Sequence, residues 1–69
     1  MSTASVYKVI EVVGTSEKSW EDAAVIAVNH ASRTLTDLRI AEVVKQDLKI
    51  EDGNVVFRTK LSLSFKYRE

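Results

Sequence analysis

The sequence predicts one small α+β domain, residues 1–69, with the element order β-α-β-β, and three observations predict it. A run rich in β-branched residues, Val6 to Val13, ends at Gly14. An apolar stripe at helical spacing then follows a capping serine. Finally, two strand-like runs flank the turn residues Glu51-Asp52-Gly53-Asn54.

In the first strand, Val6, Ile10 and Val12 fall on one side and Tyr7, Val9 and Val13 on the other. Only Lys8 and Glu11 interrupt, so both faces are expected to be at least partly covered. Ser19 is placed to cap the helix, its hydroxyl accepting a free backbone N–H, and Glu21 and Asp22 favour the positive end of the helix dipole. Ala24, Val28, Ala31, Leu35 and Leu38 recur at spacings of four, three, four and three, which predicts a helix from about Trp20 to Asp37 with these residues facing the core.

The second strand spans Ile40 to Ile50, its alternation blurred at Lys45, Gln46 and Asp47. The third has the clearest pattern. Val55, Phe57, Thr59, Leu61, Leu63, Phe65 and Tyr67 alternate with Val56, Arg58, Lys60, Ser62, Ser64, Lys66 and Arg68, so one face is apolar and the other largely polar.

Size and length both point to self-association. A chain of 69 residues buries a small share of its surface, and such scaffolds add disulfides, a metal or an oligomer interface. There is no cysteine and only one histidine, His30, which leaves oligomerisation. Thirteen residues of the third strand extend about 43 Å, whereas the helix covers about 27 Å. The overhang, Phe65 and Tyr67 at one end or Val55 and Phe57 at the other, requires another subunit.

Charge is balanced, ten Lys and Arg against ten Asp and Glu, which argues against a nucleic-acid partner. The longest apolar run, Ala23 to Val28, is too short to span a bilayer, so no membrane role is expected. The segment Met-Ser-Thr-Ala-Ser lacks the features of a signal peptide, and a cytoplasmic location is expected.

Specific segments resemble the dodecin family. Val6 to Ser16, including Val13-Gly14-Thr15-Ser16, is similar to the family's first strand and turn. Ser19-Trp20-Glu21-Asp22-Ala23-Ala24 resembles the helix start of one branch. Leu38-Arg39 followed by Glu42-Val43-Val44 resembles the second strand, and Lys60 to Phe65 the end of the third. The resemblance covers nearly the whole chain. It implies a three-stranded antiparallel sheet partly wrapped around one helix, twelve copies of which form a hollow homododecamer. It also implies a non-enzymatic shell that stores or sequesters small ligands. The family's expected ligand is flavin, riboflavin or FMN, stacked between tryptophans, with a glutamine on the ring edge; coenzyme A is held by some bacterial members.

Two positions depart from that pattern. Ile40 stands where the family has its stacking tryptophan, and Arg58 where it has the ring-binding glutamine. Isoleucine covers a ring without aromatic stacking, a loss of about 1–3 kcal/mol per ring. Arginine donates hydrogen bonds and accepts none. Ile40, Arg58 and Lys60 are therefore the candidate ligand-binding residues of a branch in which paired flavins are not expected in the usual arrangement.

The alternative is a flavin-free assembly that binds a cation such as calcium, binds coenzyme A, or is purely structural. Arg58, Lys60, Lys66 and Arg68 share a strand face that is either solvated or a basic lining for phosphate groups. Glu11, Glu42 and Asp47 are candidates to meet symmetry mates around calcium, although no EF-hand spacing is present and no metal site is expected within one chain. Trp20 is expected to anchor the helix start against a neighbouring element. His30 and Asp37 lie seven residues apart on a continuous helix but carry no nucleophile between them, and two glycines cannot build a phosphate-binding loop, so no enzyme class is indicated.

Overall fold

The structure, a computed structural model, describes residues 6–66. The elements are β1 (Tyr7–Ser16), α1 (Trp20–Ala31), β2 (Leu38–Glu51) and β3 (Asn54–Lys66), in the expected order. Tyr67 and Arg68, assigned above to opposite faces of the third strand, lie outside the described residues.

Helix α1 starts as its sequence dictates. Ser19 is extended, and its Oγ accepts the Asp22 backbone N–H at 2.9 Å. Asp22 in turn accepts the Ser16 hydroxyl at 2.6 Å, tying the strand end to the first helical turn. The helix ends at Ala31, six residues short of the expected Asp37. Both Thr34 and Leu35 donate to the Ala31 carbonyl, which tightens the last turn, and Asp37 reverses the chain at φ +59°. The polar, β-branched stretch Ser32-Arg33-Thr34 and Thr36-Asp37 gains little from a further helical turn. His30 and Asp37 therefore do not share a helix face.

The shorter helix also presents a different stripe. The buried line is Ala23, Ala27 and Ala31, with Ala24 and Val28 beside it; Leu35 and Leu38 reach the core from outside the helix. Gly14 explains the choice of alanines. A Cβ at Gly14 would overlap the Ala23 carbonyl oxygen and come within 2.9 Å of the Ala27 Cβ, so helix and sheet touch through backbone and small side chains.

The sheet has the order β1-β3-β2, antiparallel throughout, so the most regularly patterned strand is central. Asp52 (φ +48°) and Gly53 (φ +80°) close the β2–β3 hairpin through two left-handed residues, as an Asp-Gly turn favours. Register slips twice along β2, leaving Arg39 and Val44 unpaired as bulges. The second bulge accounts for the blurred alternation. Before it, Ala41 and Val43 pair with the inward Leu63 and Leu61; after it, Gln46, Leu48 and Ile50 are the inward residues, while Lys45 and Asp47 face away from the helix.

Leu61 and Leu63 on β3, each 1% exposed, form the centre of the core under α1. Thr59, also buried, donates its hydroxyl to the Trp20 carbonyl at 2.9 Å. Twelve helical residues reach only about 18 Å, along a domain 57 Å long. Leu48, Ile50 and Val55 project past the helix start on an exposed hairpin arm, with Ile50 73% exposed. The expected overhang is thus present, and larger than the sequence implied.

Candidate functional site

The face of the sheet turned away from α1 follows from the register. Its rows run Thr15–Arg58–Asp47, Val13–Lys60–Lys45, Glu11–Ser62–Glu42 and Val9–Ser64–Ile40, with Tyr7 beside Lys66. Arg58 and Lys60 are therefore neighbours on one face. Ile40 shares that face but lies six β3 positions away from Arg58, about 20 Å, and is 62% exposed. Within one chain the three candidate residues do not converge.

Arg58 is already engaged. Its Nε and Nη2 donate to the two carboxylate oxygens of Asp47 at 2.7 and 2.8 Å, a bidentate pair between adjacent strands. Those hydrogen bonds first, then the guanidinium charge, hold the Asp47 carboxyl below its ordinary value despite partial desolvation; the same contacts raise Arg58. On the other side of the strand, the Asp47 carbonyl accepts the Trp20 indole N–H at 3.1 Å, and the Trp20 ring meets Phe57 edge-on at 5.1 Å. Trp20 thus anchors the helix start, as its sequence position implied.

Lys60 reaches Glu11 at 3.3 Å across the diagonal of the β1–β3 pair. Lys45, Asp47, Arg58, Lys60 and Val13 line a cleft of about 180 Å³. Glu11 and Glu42 both sit opposite Ser62, one on each neighbouring strand, while Asp47 is two rows away and closed on Arg58. Among the described residues no three acidic or histidine side chains converge to hold a metal. His30 is exposed on the rim of an apolar groove of about 450 Å³ between α1 and β1, whose other polar lining residues are Thr15 and Thr34. That groove carries no nucleophile–base arrangement.

Asp47 as the partner of Arg58 went unnoticed in the sequence, where it was grouped with Glu11 and Glu42. The signal was available: counting outward from the Asp52-Gly53 turn sets Asp47 opposite Arg58 and Lys45 opposite Lys60. The open sheet face thus carries charged rows, with Glu11 and Glu42 on one and Lys45 and Lys60 on the next. The chain belongs to the dodecin family, whose model matches residues 6–68.

Among similar proteins is calcium dodecin of Mycobacterium tuberculosis, 48% identical over 65 residues, 93% of this chain and 92% of that protein. Its crystal structure, described as that of a calcium-chelating antigen with a novel calcium-binding site, superposes with a TM-score of 0.85 over 93% of each chain. The dodecin of Streptomyces coelicolor is 39% identical, with a TM-score of 0.90 over 99% of each chain. A Thermus thermophilus dodecin variant is 34% identical, with a TM-score of 0.87 over 96% of this chain and all of the other. Among the described residues, no helix is long and apolar enough to cross a membrane.

Proposed function

We propose that the protein is a non-enzymatic homododecameric shell that sequesters a small ligand at sites shared between subunits, and that this ligand is calcium rather than stacked flavin. The observation that carries the reading is the Arg58–Asp47 pair. Arg58 stands at the ring-edge position, has no acceptor to offer, and commits two donors to Asp47. Ile40, in place of the stacking tryptophan, removes the aromatic platform. The 48% identity to a calcium dodecin supports calcium as the replacement. Calcium takes six to eight oxygens, and the exposed Glu11 and Glu42, opposite each other across Ser62, are the carboxylates that neighbouring copies would complement.

Assembly follows from the uncovered apolar surface. Leu48, Ile50 and Val55 on the arm, and Tyr7, Val9 and Val13 on the far face of β1, are all about half exposed or more in the single subunit. Exposed apolar surface spread over both faces of so small a domain is what self-association buries. Light scattering combined with riboflavin fluorescence tests the reading. A mass of twelve 7.7 kDa chains with no saturable quenching is the expected result. A monomer, or quenching that saturates near one flavin per subunit, would refute it.

A further inference from the structure

We propose that Asp52-Gly53, at the tip of the β2–β3 hairpin, is a site of spontaneous covalent modification, where Asp52 isomerises to an isoaspartyl residue through a cyclic imide. The Gly53 amide nitrogen attacks Cγ of the Asp52 side chain. A new N–Cγ bond forms, and the carboxyl hydroxyl leaves with the amide hydrogen as water. Water then adds back at one of the two imide carbonyls. Opening at the main-chain carbonyl leaves the chain running through Cβ and Cγ, with the α-carboxylate as the new side group. No oxidant or reductant takes part, and mass and charge end unchanged.

The fold singles out this aspartate among the four in the chain. Asp22, Asp37 and Asp47 precede Ala23, Leu38 and Leu48, and only Asp52 precedes a glycine. With no side chain on residue 53 the attacking nitrogen is open, and the place a Cβ would occupy has no atom within 4 Å. The strand ladder ends at the Glu51–Asn54 pair. Among the described residues the Gly53 N–H therefore meets no acceptor, and the Asp52 carboxyl meets no donor. The carboxyls of Asp22 and Asp47, by contrast, accept hydrogen bonds at 2.6 and 2.7 Å. Residues 51–55 are all exposed, so the tip can leave its left-handed turn to reach ring geometry without disturbing the core. The dipeptide that favours the turn is thus also the one that permits ring closure.

Isomerisation adds one carbon to the main chain of a turn that closes in two residues. The Glu51–Asn54 pair, and next to it Ile50–Val55, then lose their register. The consequence for the shell rests on the assembly reading given above. Leu48, Ile50 and Val55 no longer present one apolar surface on the arm, and aged chains leave the assembly.

The test ages the full chain in warm neutral buffer, as wild type, Asp52→Asn and Asp52→Glu. Peptide mapping by mass spectrometry, with fragmentation that separates the two linkages, locates isoaspartate, and a protein-isoaspartate methyltransferase measures its total. In wild type it should accumulate at residue 52 at least about tenfold faster than at the other three aspartates, a barrier difference of about 1.4 kcal/mol. Asp52→Asn should accumulate it faster still, since an amide is a better electrophile than a carboxylate and ammonia leaves instead of water. Asp52→Glu should form none there, because the larger ring closes poorly. No isoaspartate at residue 52, or equal rates at all four aspartates, overturns the proposal. Light scattering keeps the two readings apart. A fresh wild type of monomer mass would contradict assembly and leave the modification site standing, whereas isoaspartyl chains shared equally between assembled and free fractions would overturn the effect on the shell.

Discussion

The Arg58 guanidinium and the Asp47 carboxylate meet through two hydrogen bonds of 2.7 and 2.8 Å between neighbouring strands, and the backbone of that same Asp47 is gripped from the opposite face by Trp20. One residue of β2 therefore links the helix start to the sheet face on which ligand would lie. Substitutions at Trp20 should consequently be felt at Arg58, and ligand binding near Arg58 should alter Trp20 emission.

The pair has a defined pH signature. The Asp47 carboxyl is depressed by Arg58, so its contribution is complete above the unfolded value of about 3.9 and is lost as pH falls through the depressed folded value. Urea denaturation of wild type and Asp47→Asn should therefore show a constant difference in midpoint from pH 5 to pH 8. That difference should shrink below about pH 4. A difference that instead grows on acidification would show that the pair does not stabilise the fold.

The close approach of helix and sheet is tested at Gly14. Gly14→Ala inserts a methyl group against the Ala23 carbonyl and Ala27, and should destabilise by about 1–3 kcal/mol in urea denaturation. Leu61→Ala, which opens a cavity at the core centre, should cost about 2–5 kcal/mol. Leu35→Ala should cost less than Leu61→Ala, because Leu35 lies beyond the helix and is only partly buried. An equal or larger cost for Leu35 would place it under a neighbouring subunit.

Trp20→Phe keeps the edge contact with Phe57 in reach but deletes the indole donor to the Asp47 carbonyl. A loss of about 1 kcal/mol is expected from thermal or urea unfolding. No loss would mean that the hydrogen bond is replaced by water at no cost.

Ile40→Trp restores an aromatic platform at an exposed position. Riboflavin affinity, measured by fluorescence quenching, should rise about tenfold, within the 1–3 kcal/mol range of ring stacking. Because the Arg58–Asp47 pair persists in that variant, the double variant Ile40→Trp, Arg58→Gln should bind tighter still. If neither variant exceeds wild type, Ile40 does not occupy the stacking position.

The strands, the helix start and the hairpin turn were legible because each rests on local chemistry: β-branched alternation, a capping serine, an Asp-Gly pair. What escaped depended on contacts distant in sequence. The helix end needed the knowledge that Ser32 to Thr36 gains no packing from a further turn, and the alanine stripe needed Gly14, nine residues before Ala23, to admit the helix backbone. The blurred centre of β2 was a parity change at Val44, which periodicity read as noise. Arg58 and Lys60 were correctly read as neighbours on one face of the third strand, but Asp47 was visible only by counting register, and Ile40 proved remote from both within one chain.

The central claim is a dodecin shell turned from flavin to calcium, and calorimetric titration of calcium into the metal-stripped, assembled protein tests it most directly. Saturable binding at a fixed fraction of one ion per subunit, weakened by Glu11→Gln and Glu42→Gln with the oligomer intact, is the predicted result. No calcium uptake by an intact dodecamer would contradict the account and leave the shell with another ligand.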